Sequence, residues 1–94
     1  MANSKIDYWA SQRRKYLEAE YPKQAASMEK AGTLEPHCQE VAQDALEMLE
    51  TVTTDLENRP EVQAMEYAPK VQALEAIPLQ AREMVQHDVI QAPL

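Results

Sequence analysis

The side chains able to do chemistry are few and scattered. His37 and Cys38 are adjacent, Glu40 lies two residues on, and His87 with Asp88 sits near the end of the chain. A thiol and an imidazole act as a nucleophilic pair only when they share a hydrogen bond. Neighbours on a helix project about 100° apart, so His37 reads as a surface residue and Cys38 as a small buried hydrophobe. Ser4, Ser11 and Ser27 have no acid or base at a diagnostic spacing. His37, Cys38, Glu40 and His87 are metal-ligand types, yet no His-x3-His, Cys-x2-Cys or Glu-x2-His pair is present. Asp7, Asp44 and Asp88 are too far apart in sequence for a calcium loop. With no convergent acid, base and nucleophile, the chain is expected to be no enzyme and to carry no cofactor and no metal.

Two charged features remain. Arg13, Arg14 and Lys15, with Tyr8, Trp9 and Tyr16 around them, are the candidate phosphate contacts, since basic clusters among aromatics can grip phosphate and stack bases. Against this stands a net charge of −7, from sixteen acidic and nine basic residues. Such a field repels nucleic acid and acidic membrane surfaces, so direct nucleic-acid binding is not expected. The charge is uneven: residues 35–66 hold nine carboxylates against Arg59 alone, whereas residues 1–23 are mildly basic. Within the acidic stretch Glu40, Asp44, Glu47 and Asp55 recur at helical spacing and form the candidate partner-binding face. Carboxylates one turn apart can also imitate the negative repeat of a phosphate backbone.

These groups must be positioned by a small domain. Ninety-four residues make one domain, spanning 1–94, whose core is thin. Phe is absent and Gly32 is the single glycine, so the core is expected to be Leu, Val, Met and Ala. One glycine cannot write a dinucleotide fingerprint or a P-loop, nor the glycine turns of hairpins. One cysteine cannot form an internal disulfide and points to a reducing compartment. No apolar run is long enough to span a bilayer, and the first residues lack the apolar segment of a secretion signal. A cytoplasmic protein with no membrane partner is expected.

Proline and glycine divide the chain into helices. Ser4 and Asp7 suggest a capping box, after which Ile6, Trp9, Ala10, Arg13, Tyr16 and Leu17 form one stripe. Pro22 suits a first helical turn and Gly32 a left-handed stop, with Ala25, Met28 and Ala31 packing between them. From Pro36 to Asn58, Cys38, Val41, Ala42, Ala45, Met48, Leu49, Val52 and Leu56 share one face. Glu40, Asp44, Glu47, Thr51, Thr54 and Asp55 share the other, which predicts a long amphipathic helix. Residues 61–90 keep helical spacing, but Pro69 and Pro78 predict a kinked helix or two to three short ones. Residues 1–4 and 91–94 are expected to fray. The predicted fold is all-α, a small bundle of four to five helices with residues 36–58 as its spine.

Two stretches resemble the TnpV-like proteins, small proteins encoded in transposons. One is Arg14-Lys15-Tyr16-Leu17-Glu18, followed by Ala31-Gly32-Thr33-Leu34-Glu35-Pro36-His37. The other is Ala81-Arg82-Glu83-Met84-Val85-Gln86-His87-Asp88-Val89-Ile90, with Val71, Leu74 and Ile77 falling between at agreeing positions. The similarity covers residues 13–90. Here Pro69 and Pro78 interrupt the last helix, Lys70 stands where the family often carries tryptophan, and the family's usual N-terminal extension is missing. The resemblance implies a helical fold in a mobile-element setting, with no established enzymatic activity and no residues of assigned role.

Three functions are then open. The leading one is a non-enzymatic interaction protein of a mobile element, binding a partner protein through a helix face. The second is an acidic mimic that inhibits a nucleic-acid-binding host defence enzyme, in the manner of an anti-CRISPR protein. The third is a DNA-binding accessory to excision using Arg13, Arg14 and Lys15. A thin core also leaves apolar surface that a homo-oligomer could cover.

Overall fold

A computed structural model describes residues 4–94, and among them every regular element is helical. In chain order these are α1 (Ser4–Glu20), α2 (Pro22–Ala31), α3 (Leu34–Glu57), α4 (Pro60–Gln63) and α5 (Tyr67–Val85). A π-helical turn, Gln86–Ile90, continues α5. The Ser4 side chain, and with it the expected capping box, lies outside the described residues.

Local chemistry accounts for the boundaries. Pro22 opens α2, where its missing N–H would be unpaired in any case. Gly32 ends it at φ 77°, and the Gly32 and Thr33 amides donate to the Glu29 and Met28 carbonyls at 3.1 and 2.8 Å. This is a Schellman closure, which needs a left-handed residue at that position. Ala25 is buried and Met28 packs beside it, whereas Ala31, expected to pack, is exposed.

The spine is α3, two residues longer at its start than expected. Pro36 is absorbed in its first turn. Leu34, Cys38, Ala42, Ala45 and Leu56 are buried along it, and Glu40, Asp44, Glu47, Thr51, Thr54 and Asp55 are all exposed. The last segment is assembled from pieces. The chain leaves helix at 64–66, ahead of Pro69, which then sits in the first turn of α5. Pro78 lies inside α5 without ending it. It is exposed, so water can serve the Leu74 carbonyl that loses its donor.

Packing divides along α3. Its first half joins α1, α2 and the π turn around Trp9, Ala10, Leu17, Ala25, Leu34, Cys38, Ala42, Ala45, Val85 and Ile90. Four of these ten are alanine, while Met28 and Met48 only border the cluster. Toward its C-terminal end α3 meets α4 and α5, around Leu56, Ile77 and Ala81. Leu49 packs against both clusters. The distal end is thus an arm of α3 and α5 closed by the short α4. The radius of gyration is 16.5 Å, against about 12 Å for a compact chain of this length.

Candidate functional site

Arg13 lies on the core-facing stripe of α1 and is 3% exposed. Its guanidinium donates to the Ile90 carbonyl at 2.9 Å and to the Ala92 carbonyl at 2.6 Å. Its Nε donates to His37 Nε2 at 3.3 Å, which requires the imidazole to carry its hydrogen on Nδ1. The Tyr16 ring lies 5.6 Å from the guanidinium carbon. The Ile90 carbonyl belongs to the helix end, where backbone dipoles leave negative charge for a cation to complement. Burial pushes the Arg13 pKa down, and partial offsets come from Cys38, Tyr16 and Tyr21 rather than from any carboxylate. Arg13 is therefore a structural cation. The tail expected to fray at 91–94 is held by its backbone as far as Ala92.

This corrects the reading of Arg13, Arg14 and Lys15 as phosphate contacts. Arg14 points the other way and is held by Glu18 at 3.0 Å and Glu29 at 2.8 Å, with Glu35 at 3.8 Å. The hydrogen bonds to Glu18 and Glu29 raise its pKa, and the Glu29 bond and Glu35 ion pair tie α1 to α2 and α3. Lys15 alone of the three is both exposed and outside these networks. One cation is not a phosphate-binding surface.

The histidine–cysteine neighbours behave as two separate residues. Cys38 is buried and free, and burial pushes its thiol up, with Glu35 adding to the effect. A thiol so held is a poor nucleophile. His37 is half-buried rather than a plain surface residue. Burial lowers its pKa, and the Arg13 charge lowers it further against a contrary pull from Glu40. His87 pairs with Asp88 at 2.7 Å on the surface, remote from both. Among the described residues no three His, Cys, Asp or Glu side chains are grouped to hold a metal ion.

The acidic face has a different character. Glu40, Asp44, Glu47 and Asp55 are exposed along one rigid helix, and none makes an ion pair among the described residues. A groove of about 780 Å³ opens beside α3, floored by Trp9, Leu46 and Leu49 and edged by Tyr8, Glu57 and Arg82. Leu46 and Arg82 had no assigned part in the sequence reading. Leu46 falls one position off the apolar stripe, and the cation–π contact of Arg82 over Tyr8, at 5.8 Å, depends on tertiary packing. No helix among the described residues is long and apolar enough to cross a membrane.

Over residues 1–90 the sequence matches the family described as transposon-encoded protein TnpV. The match takes in the whole of α1 as well as the stretches that carry the resemblance, and the chain belongs to this family. No curated protein and no solved structure matches it.

Proposed function

We propose, from membership of this transposon-encoded family, that the chain is a non-enzymatic interaction protein that acts by binding a partner protein with a basic surface. The observation that carries this reading is the acidic edge of α3, which makes no ion pair among the described residues. Glu40, Asp44, Glu47 and Asp55 are exposed on a helix fixed on its other face by buried Cys38, Ala42 and Ala45. A rigid, prearranged charge pattern steers a complementary partner and costs little ordering on binding.

The same exposure favours a second reading, mimicry of a nucleic acid toward a nucleic-acid-binding enzyme. Charge density weighs against it. Glu40 to Asp55 spans about 22 Å of helix; Glu40, Asp44, Glu47 and Asp55 set four carboxylates on one face while exposed Glu50 stands on its flank, whereas one DNA strand presents about six charges in a single row over that length. A partner reading spaced carboxylates is the better match. A DNA-binding accessory to excision using Arg13, Arg14 and Lys15 is the less favoured reading, because Arg13 is buried and Arg14 is held by Glu18 and Glu29.

The test is capture of binding partners on the tagged full chain and on a variant with Glu40→Gln, Asp44→Asn, Glu47→Gln and Asp55→Asn. Exposed charges contribute little to folding, so the variant should unfold at nearly the wild-type temperature. A partner held by the wild type and lost by the variant, with salt-sensitive affinity, supports the reading. A partner that binds both equally overturns it.

A further inference from the structure

We infer that Tyr67 receives an arginine side chain of the basic partner, its ring stacking on the guanidinium while Glu66 pairs with the charge. This deepens the function proposed above and rests on it for the partner's basic surface. Tyr67 opens α5 just past α4 and is 85% exposed. A tyrosine ring carries a large apolar area that is normally packed away. The other three tyrosines follow that rule. Tyr8 lies under Arg82 at 5.8 Å, Tyr16 lies under Arg13 at 5.6 Å, and Tyr21 meets the Tyr16 ring edge-on at 6.1 Å. Among the described residues the Tyr67 side chain makes no ring contact and no hydrogen bond.

The surroundings of the ring select a cation. Tyr67 follows directly on the stretch 35–66, where nine carboxylates stand against Arg59 alone. Glu66, its immediate neighbour, makes no ion pair among the described residues. An apolar side chain docked there would strip water from that carboxylate and offer no hydrogen bond in return. A guanidinium satisfies both groups, lying flat on the ring and donating to the carboxylate. An ammonium is a weaker match, being compact, strongly hydrated and unable to stack. Lys70, the nearest cation in sequence, has its ammonium on Gln63 at 3.1 Å. The Lys70 amide donates to the Glu66 carbonyl at 2.9 Å and fixes the first turn of α5, so little ordering is required on binding. A second copy of this chain has few guanidiniums to give. Arg13 is buried, Arg14 is held by Glu18 and Glu29, and Arg82 sits over Tyr8. Arg59, the fourth, edges a recess with Ile77 and Gln80 further along α5. The arginine therefore belongs to a different protein.

The test follows the carbon-13 ring signals of the four tyrosines in the full chain during titration with two peptides, one alternating arginine with glycine and one alternating lysine with glycine. Tyr67→Leu identifies the Tyr67 signal by its loss. The arginine peptide should shift that signal and bind more tightly than the lysine peptide. Tyr67→Phe keeps the ring and should bind the arginine peptide as the wild type does. Tyr67→Leu should bind it about threefold more weakly, the scale of one exposed cation–π contact. Both variants should keep wild-type circular dichroism, because the side chain packs on nothing. A Tyr67 signal that stays unmoved overturns the inference. So does a Tyr67→Leu chain that binds like the wild type, or a lysine peptide that binds as tightly as the arginine one. The variant neutralised at Glu40, Asp44, Glu47 and Asp55 separates this inference from the function it rests on. Affinity lost in that variant, with Tyr67 unmoved in the wild type, upholds the acidic edge and removes Tyr67. Equal affinity in both chains, with Tyr67 shifted in each, upholds Tyr67 and removes the edge.

Discussion

Arg13 and Ile90 are 77 residues apart, and a buried 2.9 Å hydrogen bond joins the guanidinium of one to the carbonyl of the other. With the second bond to Ala92 and the third to His37, one side chain fastens α1, α3 and the end of the chain together. Its charge is compensated by carbonyl dipoles and an aromatic face, which makes the geometry of all its donors matter at once.

Arg13→Lys should therefore not be conservative. An ammonium is a point donor on a flexible stem and cannot reach the His37 nitrogen and both carbonyls together. Each buried acceptor left unserved costs about 1–3 kcal/mol, so a fall in Tm of several degrees is expected by calorimetry. A Tm equal to the wild type's would show that the three bonds contribute nothing net.

Stability should fall on mild acidification. The His37 pKa is lowered in the folded state, so the unfolded chain binds the proton more readily. Its contribution is complete above the unfolded value, about 6.5, and is lost as pH falls through the lowered folded value. Protonation also removes the acceptor for Arg13 Nε. Urea midpoints measured from about pH 7 to pH 5 should decline for the wild type, and His37→Gln should flatten that slope. An unchanged slope in the variant would assign the acid sensitivity elsewhere.

At Gly32 the backbone alone sets the cost of substitution. A Cβ there meets nothing within 4 Å, yet φ is +77°. Gly32→Ala should destabilise by about 1–2 kcal/mol, the penalty for a left-handed alanine. Gly32→Asn should cost less, because asparagine tolerates that region. The order of the two Tm values is the measurement.

Core truncations should separate by burial. Leu17 is fully buried, and Leu17→Ala should cost about 3–5 kcal/mol, the upper part of the usual range. Leu49 is half-buried where the two clusters meet, and Leu49→Ala should cost about 2 kcal/mol. If Leu49→Ala leaves Tm unchanged, Leu49 does not couple the arm to the main core.

The helices were legible because the 3.6-residue period is strong in α1 and α3 and because Pro22 and Gly32 carry unambiguous backbone preferences. The part of Arg13 was half legible. It stands in register with Ile6, Trp9, Ala10 and Leu17, which predicts burial, while its neighbours Arg14 and Lys15 suggested a surface cluster. Period outranked local composition. Its acceptors could not be read, since Ile90 and Ala92 are brought to it only by the return of α5. Pro78 left two outcomes open, a kink or a break, and α5 runs on through it; sequence could not choose because the cost depends on whether the orphaned carbonyl can reach water. The acidic face was read correctly as a surface, but the groove beside it required three helices to be placed together.

The fastening of α1 by the Ile90 and Ala92 carbonyls also sets an order of events during synthesis. Chains emerge from the ribosome N-terminus first, at about 5–20 residues per second. Trp9, Leu17 and the uncompensated Arg13 charge are made before Val85, Ile90 and the acceptors that complete their enclosure. For the interval between, the nascent chain displays an amphipathic helix with a cation set in its apolar stripe. Until residue 92 is free to fold back, that stripe is open to chaperones, and to any neighbouring chain that reaches it first.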